Sequence, residues 1–442
     1  MIKRTHRLCC LLALLPISGL LCAAETAPLC FDTSDLGDPA DTIPEIEPWR
    51  VITLEPDYAG LWVVASELDG DGQVEIVSAE NCNVGDVHYT SAAVAQKLDG
   101  TVLWRWGDPD AGRKKLHHDV ACQIHDWDGD GKNEVVVCTK GSLVELDGAT
   151  GEERRRLPIP EEATDCLVFC NLSGGERPTD VLVKTRYGQI WAYDHAGKLL
   201  WTVDNPGGYR TAHQPRPIDL DGDGRDEVMA GYALLNPDGS VRWVFKSAKV
   251  DLARGHLDCC RVVRRGATPQ DFRLVLTCCG ANNVALVDGA GQTLWEVSGH
   301  HFESANVGRI VPDRPGLQIL VDIDHQPRGQ SPLWLLDEKG NHLGQIVTDY
   351  SRQHRLLDWT GDGIDEILVA YSRGIYNHQG ERIATFAMNG PASTLLIGDM
   401  TGDGVPDAAL VTSQAVCIYR NESGQKPGPP VPLGSGPNVT LY

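Results

Sequence analysis

Leu68-Asp69-Gly70-Asp71-Gly72 decides the fold, because it recurs. Trp127-Asp128-Gly129-Asp130-Gly131 and Leu220-Asp221-Gly222-Asp223-Gly224 repeat it, and Trp359-Thr360-Gly361-Asp362-Gly363 and Met400-Thr401-Gly402-Asp403-Gly404 vary it. Each copy leads to an acid and an apolar run, as in Glu75-Ile76-Val77, Glu134-Val135-Val136-Val137 and Glu366-Ile367-Leu368-Val369. Weaker copies fill the gaps: Asn171-Leu172-Ser173-Gly174-Gly175, Arg264-Arg265-Gly266 and Arg309-Ile310-Val311-Pro312-Asp313-Arg314-Pro315-Gly316. The copies begin near 67, 126, 171, 219, 264, 309, 358 and 399, so there are eight units, most of them 41 to 49 residues apart. A fixed long period signals a repeat architecture.

A second repeat lies within the first. Lys97-Leu98-Asp99-Gly100-Thr101-Val102-Leu103-Trp104 is matched by stretches ending at Trp201, Trp243 and Trp295. Each is two short apolar runs around an Asp/Gly or Asn/Gly turn, which reads as a hairpin. A unit is therefore strand, acidic loop, strand, hairpin. Four strands at this period make a propeller blade, and the reading is an all-β, eight-bladed β-propeller over residues 49–442. Closing the ring removes exposed sheet edges. A solenoid is the alternative, but it needs capping repeats and none are evident. Trp49–Leu54 and Asn438–Tyr442 both read as short strands, and the C-terminal one is expected as the outer strand of the last blade.

Residues 1–24 read as a signal peptide: Lys3, Arg4 and Arg7, then an apolar stretch from Leu8 to Leu21, then Cys22-Ala23-Ala24. Residues 25–48 form an N-terminal extension. The expectation is a secreted or periplasmic monomer with no membrane span. The net charge of −22 argues against a nucleic-acid partner, which needs a basic surface. Eleven of the 14 cysteines lie beyond the leader. They either form cross-strand disulfides or pack as small buried residues.

The loop Asp126-Trp127-Asp128-Gly129-Asp130-Gly131-Lys132-Asn133-Glu134 places carboxylates at positions 1, 3, 5 and 9. Alternate residues of a tight loop point inward, so their oxygens converge, and several hard oxygen ligands suit Ca²⁺. The same register gives Glu67, Asp69, Asp71 and Glu75; Asp219, Asp221, Asp223 and Glu227; Asp358, Thr360, Asp362 and Glu366; and Asp399, Thr401, Asp403 and Asp407. The alternative is a solvated acidic turn.

Counting back eight residues from the loop start gives His118 in blade 2, His256 in blade 5 and His301 in blade 6. The strand between them and the loop is the innermost, so these histidines belong at the mouth of the central channel, on the face opposite the loops. His213, His354, Arg210, Arg254, Arg352 and Lys115 lie nearby in register. A ring of histidines and cations suits an anionic substrate. The alternatives are rim residues bonded to neighbouring blades, or a metal site made from the three histidines.

His118 with the loop at Asp126, Gly255-His256-Leu257-Asp258, His300-His301-Phe302-Glu303-Ser304, the Arg309 stretch and Asp358-Trp359-Thr360-Gly361-Asp362-Gly363 resemble rhamnogalacturonan lyase family 11, a family of eight-bladed calcium-binding propellers. The likeness runs over roughly residues 60 to 375. It implies β-elimination at a 4-linked uronic acid of an acidic, rhamnose-containing polysaccharide. On that reading His118 or His301 is the base and the other the acid, with His256 beside them. Arg210 or Arg254 neutralises the uronate, and Lys115, His213, Asp258, Glu303, Arg352 and His354 help to bind substrate. Leu257-Asp258-Cys259-Cys260 departs from the family, which usually has Gly after this histidine, and the chain is expected to lack the family's additional β-domain. Two other classes compete. One is a non-catalytic adhesion or carbohydrate-binding propeller of the FG-GAP/VCBS-repeat type, which needs the loops but not the histidines. The other is a quinoprotein-like dehydrogenase, suggested by the docking-like repeat Ala192–Trp201.

Overall fold

Each unit of the repeat folds as the same four-stranded antiparallel sheet, eight in all. The structure is a computed structural model, and its described residues are 31–34, 43–85, 87–111, 120–325, 331–348, 350–390 and 392–422. Blade 1 runs from Trp62–Ser66 to Val102–Gly107, and blade 7 from His354–Leu357 to Arg382–Phe386. The first strands of successive blades touch one another from blade 1 through to blade 8, so they line the axis. Blade 8 packs back on blade 1 through Ile52, Val63, Ile76, Ala409 and Ile418. This is the eight-bladed propeller that the period requires.

Both faces of most blades are covered by neighbours, which explains why the second strands read as unbroken apolar runs. Val135, Val136 and Val137 are all fully buried: Val135 and Val137 join a core with blade 1, and Val136 joins one with blade 3. The tryptophans that end the hairpin repeat fix the step between blades. Trp104 Nε1 donates to Gly148 O of the next blade at 2.7 Å, Trp201 to Pro237 O at 2.9 Å, Trp243 to Gly289 O at 3.0 Å and Trp295 to Glu338 O at 2.9 Å. Each ring lies on a glycine of that same turn. A Cβ at Gly151 would stand 2.6 Å from the Trp104 ring and one at Gly291 2.7 Å from Trp243, and both glycines have positive φ. Only glycine meets both demands.

The closing strand is not the one expected. Arg50–Thr53 forms the outer strand of blade 8, antiparallel to Ala415–Tyr419, with Ile52 opposite Val416. The Asn438–Tyr442 segment lies outside the described residues, and the outer position assigned to it is already filled. The physical reason is burial: Ile52 is fully enclosed in the core between blades 8 and 1, while its neighbour Val51 is 56% exposed. The extension also contributes to the ring. Glu45–Ile46 adds a parallel fifth strand to blade 7 and Phe31–Ser34 one to blade 6, each covering an outer edge. The signal-peptide segment 1–24 lies outside the described residues. No described helix is long and apolar enough to cross a membrane. The ten described cysteines are free thiols. Cys122 and Cys138 sit in different cores, so they pack rather than pair.

The acidic loops all join strand one to strand two, so those at Asp126 and Asp219 lie on one face of the ring. The starts of the inner strands, the turns between strands two and three, and the links between blades lie on the other.

If Arg50–Thr53 closes the ring, Ile52→Ala should lower unfolding free energy by about 2–4 kcal/mol, as for other buried large-to-small changes. Val51→Ala should stay within about 0.5 kcal/mol of wild type. Denaturant unfolding measures both, and equal effects would remove this strand from the closure.

Candidate functional site

The inner strands of blades 4, 5 and 6 break register just where they reach the channel mouth. In blade 5, Leu257 pairs with Cys278 and Cys259 with Thr277, leaving Asp258 extra. In blade 6, Phe302 pairs with Ile323 and Ala305 with Val321, so Glu303 and Ser304 together oppose Asp322. Blade 4 shifts between Thr211 and Arg216. Such bulges re-aim side chains. Asp322 holds the blade 6 bulge by accepting from Ser304 N at 2.5 Å and Ser304 Oγ at 2.9 Å. Burial first, and then the Glu303 carboxylate, pushes Asp322 up to about 7.

One register, six positions before the loop, holds Asp165, His213, Asp258, Glu303 and Arg352 in blades 3 to 7, all of them buried. They meet the histidines in two groups. In the first, Asp258 Oδ1 lies 2.8 Å from His256 Nε2, not aligned for a hydrogen bond, and 3.7 Å from His213 Nε2. The two imidazoles stand edge to face at 4.8 Å, with Tyr187 against both. Arg210, exposed, lies over the outer part of this group, 5.5 Å from the Tyr187 ring centre. In the second group, His301 Nε2 lies 2.9 Å from Glu303 Oε1 and 3.1 Å from Cys279 Sγ. Arg352 bridges Glu303 and Asp324, the latter at 2.5 Å, and His325 faces His301 at 4.3 Å. The bond from Glu303 holds His301 above its ordinary value. Burial raises the Cys279 thiol, so it stands beside His301 as a neutral thiol.

Of the residues named from sequence, His256, His301, His213, Asp258, Glu303, Arg352 and Arg210 come together at the mouth. Arg254 is exposed on the turn leading into blade 5. His118 and Lys115 lie outside the described residues. His354 is fully buried, with Nδ1 2.8 Å from Ser351 O, so it stands behind the mouth and not on its surface. The three-histidine metal set includes His118 and so lies partly outside the described residues; of its other members, His256 groups with His213 and Asp258, and His301 with Cys279 and Glu303. Tyr187, His325 and Tyr350, whose ring Arg352 overlies, were not foreseen because they lie in turns between strands and links between blades, and Cys279 and Asp324 because they end second strands, which a count back from the loop does not reach. Asp165 was legible by the same count of six. It pairs with His88 at 2.6 Å and with Lys184 at 3.3 Å, joining the long hairpin of blade 1 to blade 3.

On the opposite face the acidic loops share one geometry. The first carboxylate accepts from the fourth residue, as Asp126 Oδ1 does from Gly129 N at 2.7 Å and Asp219 Oδ1 from Gly222 N at 2.7 Å. The ninth caps the second, as Glu134 does Trp127 N at 2.8 Å and Glu227 does Leu220 N at 3.0 Å. In blade 6, Gln318 makes that cap with no charge, accepting from Ile310 N at 2.9 Å. Burial pushes Glu134 and Glu227 up to about 7. Ligand oxygens of Glu67, Asp69 and Asp71, and of Asp126, Asp128 and Glu134, lie within 4.8 Å of one another. Glu75 Oε1 is buried with no hydrogen-bond partner. Side chains already bring positive charge to these loops: Lys97 to Asp69, Arg154 to Glu134 and Arg242 to Glu227. The donor set fits a hard divalent cation.

No family model matches the chain. It is 27% identical over 432 residues to the rhamnogalacturonan endolyase YesW of Bacillus subtilis (strain 168), covering 80% of this chain and 66% of that protein. It is 26% identical over 382 residues to the rhamnogalacturonan exolyase YesX of the same organism, covering 68% and 58%. The chain thus spans less than two thirds of the length of either relative. The crystal structure of rhamnogalacturonan lyase YesW superposes with a TM-score of 0.61 at 21% identity, over 84% of this chain and 75% of that one. The rhamnogalacturonan lyase PL11 of Bacillus licheniformis gives 0.61 at 22%, over 85% and 75%. The V. cholerae biofilm matrix protein Bap1 gives 0.59 at 14%, over 87% and 92%. The structural likeness is one of fold. The sequence resemblance to rhamnogalacturonan lyases is borne out by the relatives that carry that name.

The mouth's supporting layer should be sensitive to pH. Burial pushes His354 down to about 4 from an ordinary 6.5. The unfolded chain therefore takes up a proton that the folded one refuses. The stability that neutral His354 contributes is whole above about pH 6.5 and is lost as pH falls towards 4, at no more than about 1.4 kcal/mol per pH unit. Between pH 7 and 5, His354→Gln should lose about 1–2 kcal/mol less than wild type in denaturant unfolding. Equal losses would mean that the folded protein protonates His354 at its ordinary value.

Proposed function

We propose that the protein is an exported polysaccharide lyase that cleaves a rhamnose- and uronic-acid-containing polymer by β-elimination at the channel mouth. The observation that carries this reading is the similarity in sequence to rhamnogalacturonan lyases over 80% of the chain, in a protein whose register-matched histidines converge on carboxylates and an arginine. Residues 1–24 would be the leader that directs export.

The residues suit each step. A base removes the C5 proton, the electron pair forms the C4–C5 double bond, and the C4–O bond breaks with its electrons leaving on oxygen. A second group protonates that oxygen. Neutral imidazole is an effective base near neutral pH. His301 and His118 share these two roles, with His256 beside them. Removal of the C5 proton needs the adjacent carboxylate neutralised, which exposed Arg210 or Arg254 can do without losing an existing carboxylate partner. Arg352, already held by Glu303 and Asp324, orients that carboxylate pair toward His301.

Ca²⁺ fits the acidic loops on the opposite face, held by the residues at positions 1, 3, 5 and 9. It would be structural there: converging carboxylates repel without a counter-charge, and an ion bound only by the folded state stabilises it.

Incubation with rhamnogalacturonan and other uronic-acid polymers should produce the absorbance of an unsaturated uronate. His301→Ala and His118→Ala should each lower turnover at least ~100-fold with little change in melting temperature. Because Glu303 raises His301 and a base must be neutral, activity should rise with pH through a value above 6.5. Glu303→Gln should move that limb to lower pH. If wild type yields no unsaturated product from any such polymer, the lyase reading fails and a binding propeller takes its place. Full activity in both alanine variants would keep the lyase and overturn these roles.

Exhaustive chelation should lower the melting temperature by several degrees, since ~1 kcal/mol shifts a domain of 150 to 250 residues by roughly 2–4 °C. Glu134→Gln should keep the backbone cap, as Gln318 does in blade 6, yet reduce bound calcium by about one ion per chain. An unchanged melting curve after chelation would remove calcium from the structure.

A further inference from the structure

Three residues before each loop, the inner strands carry a second ring: Arg216 in blade 4, Arg261 in blade 5, Asn306 in blade 6 and Arg355 in blade 7. Neither the acidic-loop motif nor the proposed chemistry accounts for these residues. Arg216 is 8% exposed and Arg261 5%. Arg216 leaves Nε, and Arg261 leaves Nε and one Nη, with no hydrogen-bond partner among the described residues. Neither forms an ion pair with a described carboxylate. Burial, and after it the Arg261 charge, pushes both Arg216 and Arg355 down to about 10, which leaves them cationic at neutral pH. Blades 5 and 7 are not neighbours. The shared register puts both on one circle about the axis, and the Arg261 charge acts on Arg355 from across blade 6. Arg355 Nη donates to His354 O at 2.7 Å, and Asn306 Nδ2 donates to the same carbonyl at 3.0 Å.

Buried charges are rarely left without a partner, because the cost of removing them from water is large. In a chain of net charge −22, the buried guanidinium groups of Arg216 and Arg261, with no ion pair to a described carboxylate, are the exception to be explained. We propose that the propeller axis holds a small tetrahedral oxyanion, of the sulfate or phosphate class, between Arg216, Arg261 and Arg355. The guanidinium fork matches two oxygens of such an anion, which a single-atom anion such as chloride does not offer. The ring lies three residues deeper than the register of Asp258 and Glu303, about 10 Å along the strand. It is therefore separate from the mouth and does not rest on the lyase reading.

The test uses the full chain, dialysed free of sulfate and phosphate at fixed calcium. Sodium sulfate, and separately sodium phosphate after chelation, are titrated against sodium chloride at matched ionic strength. The expected result is a rise in melting temperature of several degrees that saturates at millimolar oxyanion, with no such plateau in chloride. A general salting effect would grow steadily and not saturate. Arg261→Met should abolish the plateau without lowering the starting melting temperature, because it removes an uncompensated buried charge. If that variant does not fold, Arg216→Met provides the same comparison, and Arg261→Lys should raise the half-saturating concentration at least tenfold. No saturable response to either oxyanion, or an undiminished one in the variants that fold, overturns the proposal.

Discussion

The geometry of this molecule depends on the contact between one blade's terminal tryptophan and the next blade's turn. Trp104, Trp201, Trp243 and Trp295 each place an indole on a glycine that cannot be enlarged, and each donates to a carbonyl in the same turn. Leu157 takes this place between blades 2 and 3, against Gly197. One apolar contact and one hydrogen bond thus fix both distance and rotation between neighbours. Repeated around the ring, a fixed rotation puts equivalent residues on circles about the axis. The mouth and the arginine ring follow from that rotation and from the register of the inner strands, and no loop needs to be placed independently.

The bulges then set the start of each inner strand apart from its regular remainder. In an undistorted strand, residues eight, six and four before the loop face one way and residue three the other. The extra residues in blades 5 and 6 fall at Asp258 and at Glu303 and Ser304. They turn the carboxylates to the histidines of the same strands. Below the bulge the strands return to regular pairing, with Arg261 opposite Val275 and Asn306 opposite Leu320. Hence the inner strand of one blade can present an acid–imidazole pair at its start and an axial polar residue three positions before its loop.

This explains what the sequence could and could not carry. The fold was legible because the period, the loop motif and the hairpin motif are covalent facts of spacing. The histidines were legible for the same reason, since His256 and His301 stand at one offset. The closing strand was not: Trp49–Leu54 and Asn438–Tyr442 have the same local character, and the difference between them is the cavity between blades 8 and 1 that Ile52 fills. Nor was His354, whose offset brought it into the candidate set although its side chain is enclosed behind Ser304 and Ser351. A one-residue bulge changes which face a residue takes, and nothing in the local composition of Leu257-Asp258-Cys259 announces one. Tyr187 and His325 come from turns, and Asp324 from the end of a second strand, at distances that differ between blades, so counting back from the loops cannot find them.

Charge is segregated along the axis as a consequence. The acidic loops gather carboxylates on one face, and Lys97, Arg154, Arg242 and Arg420 are drawn to them from the hairpin strands and just beyond. The inner strands carry cations toward the other end, in Arg216, Arg261 and Arg355 near the middle and Arg352 with the histidines at the mouth. A chain of net charge −22 would repel a polyanion at long range, and salt limits that repulsion to roughly 10 Å or less. Within that distance the mouth is governed by its own residues, and there each carboxylate is already engaged: Asp258 beside His256, Glu303 by His301 and Arg352, Asp324 by Arg352. The exposed cations Arg210 and Arg254 are not held by those acids. The outer approach to the mouth is therefore cationic, and the acid–imidazole pairs lie behind it.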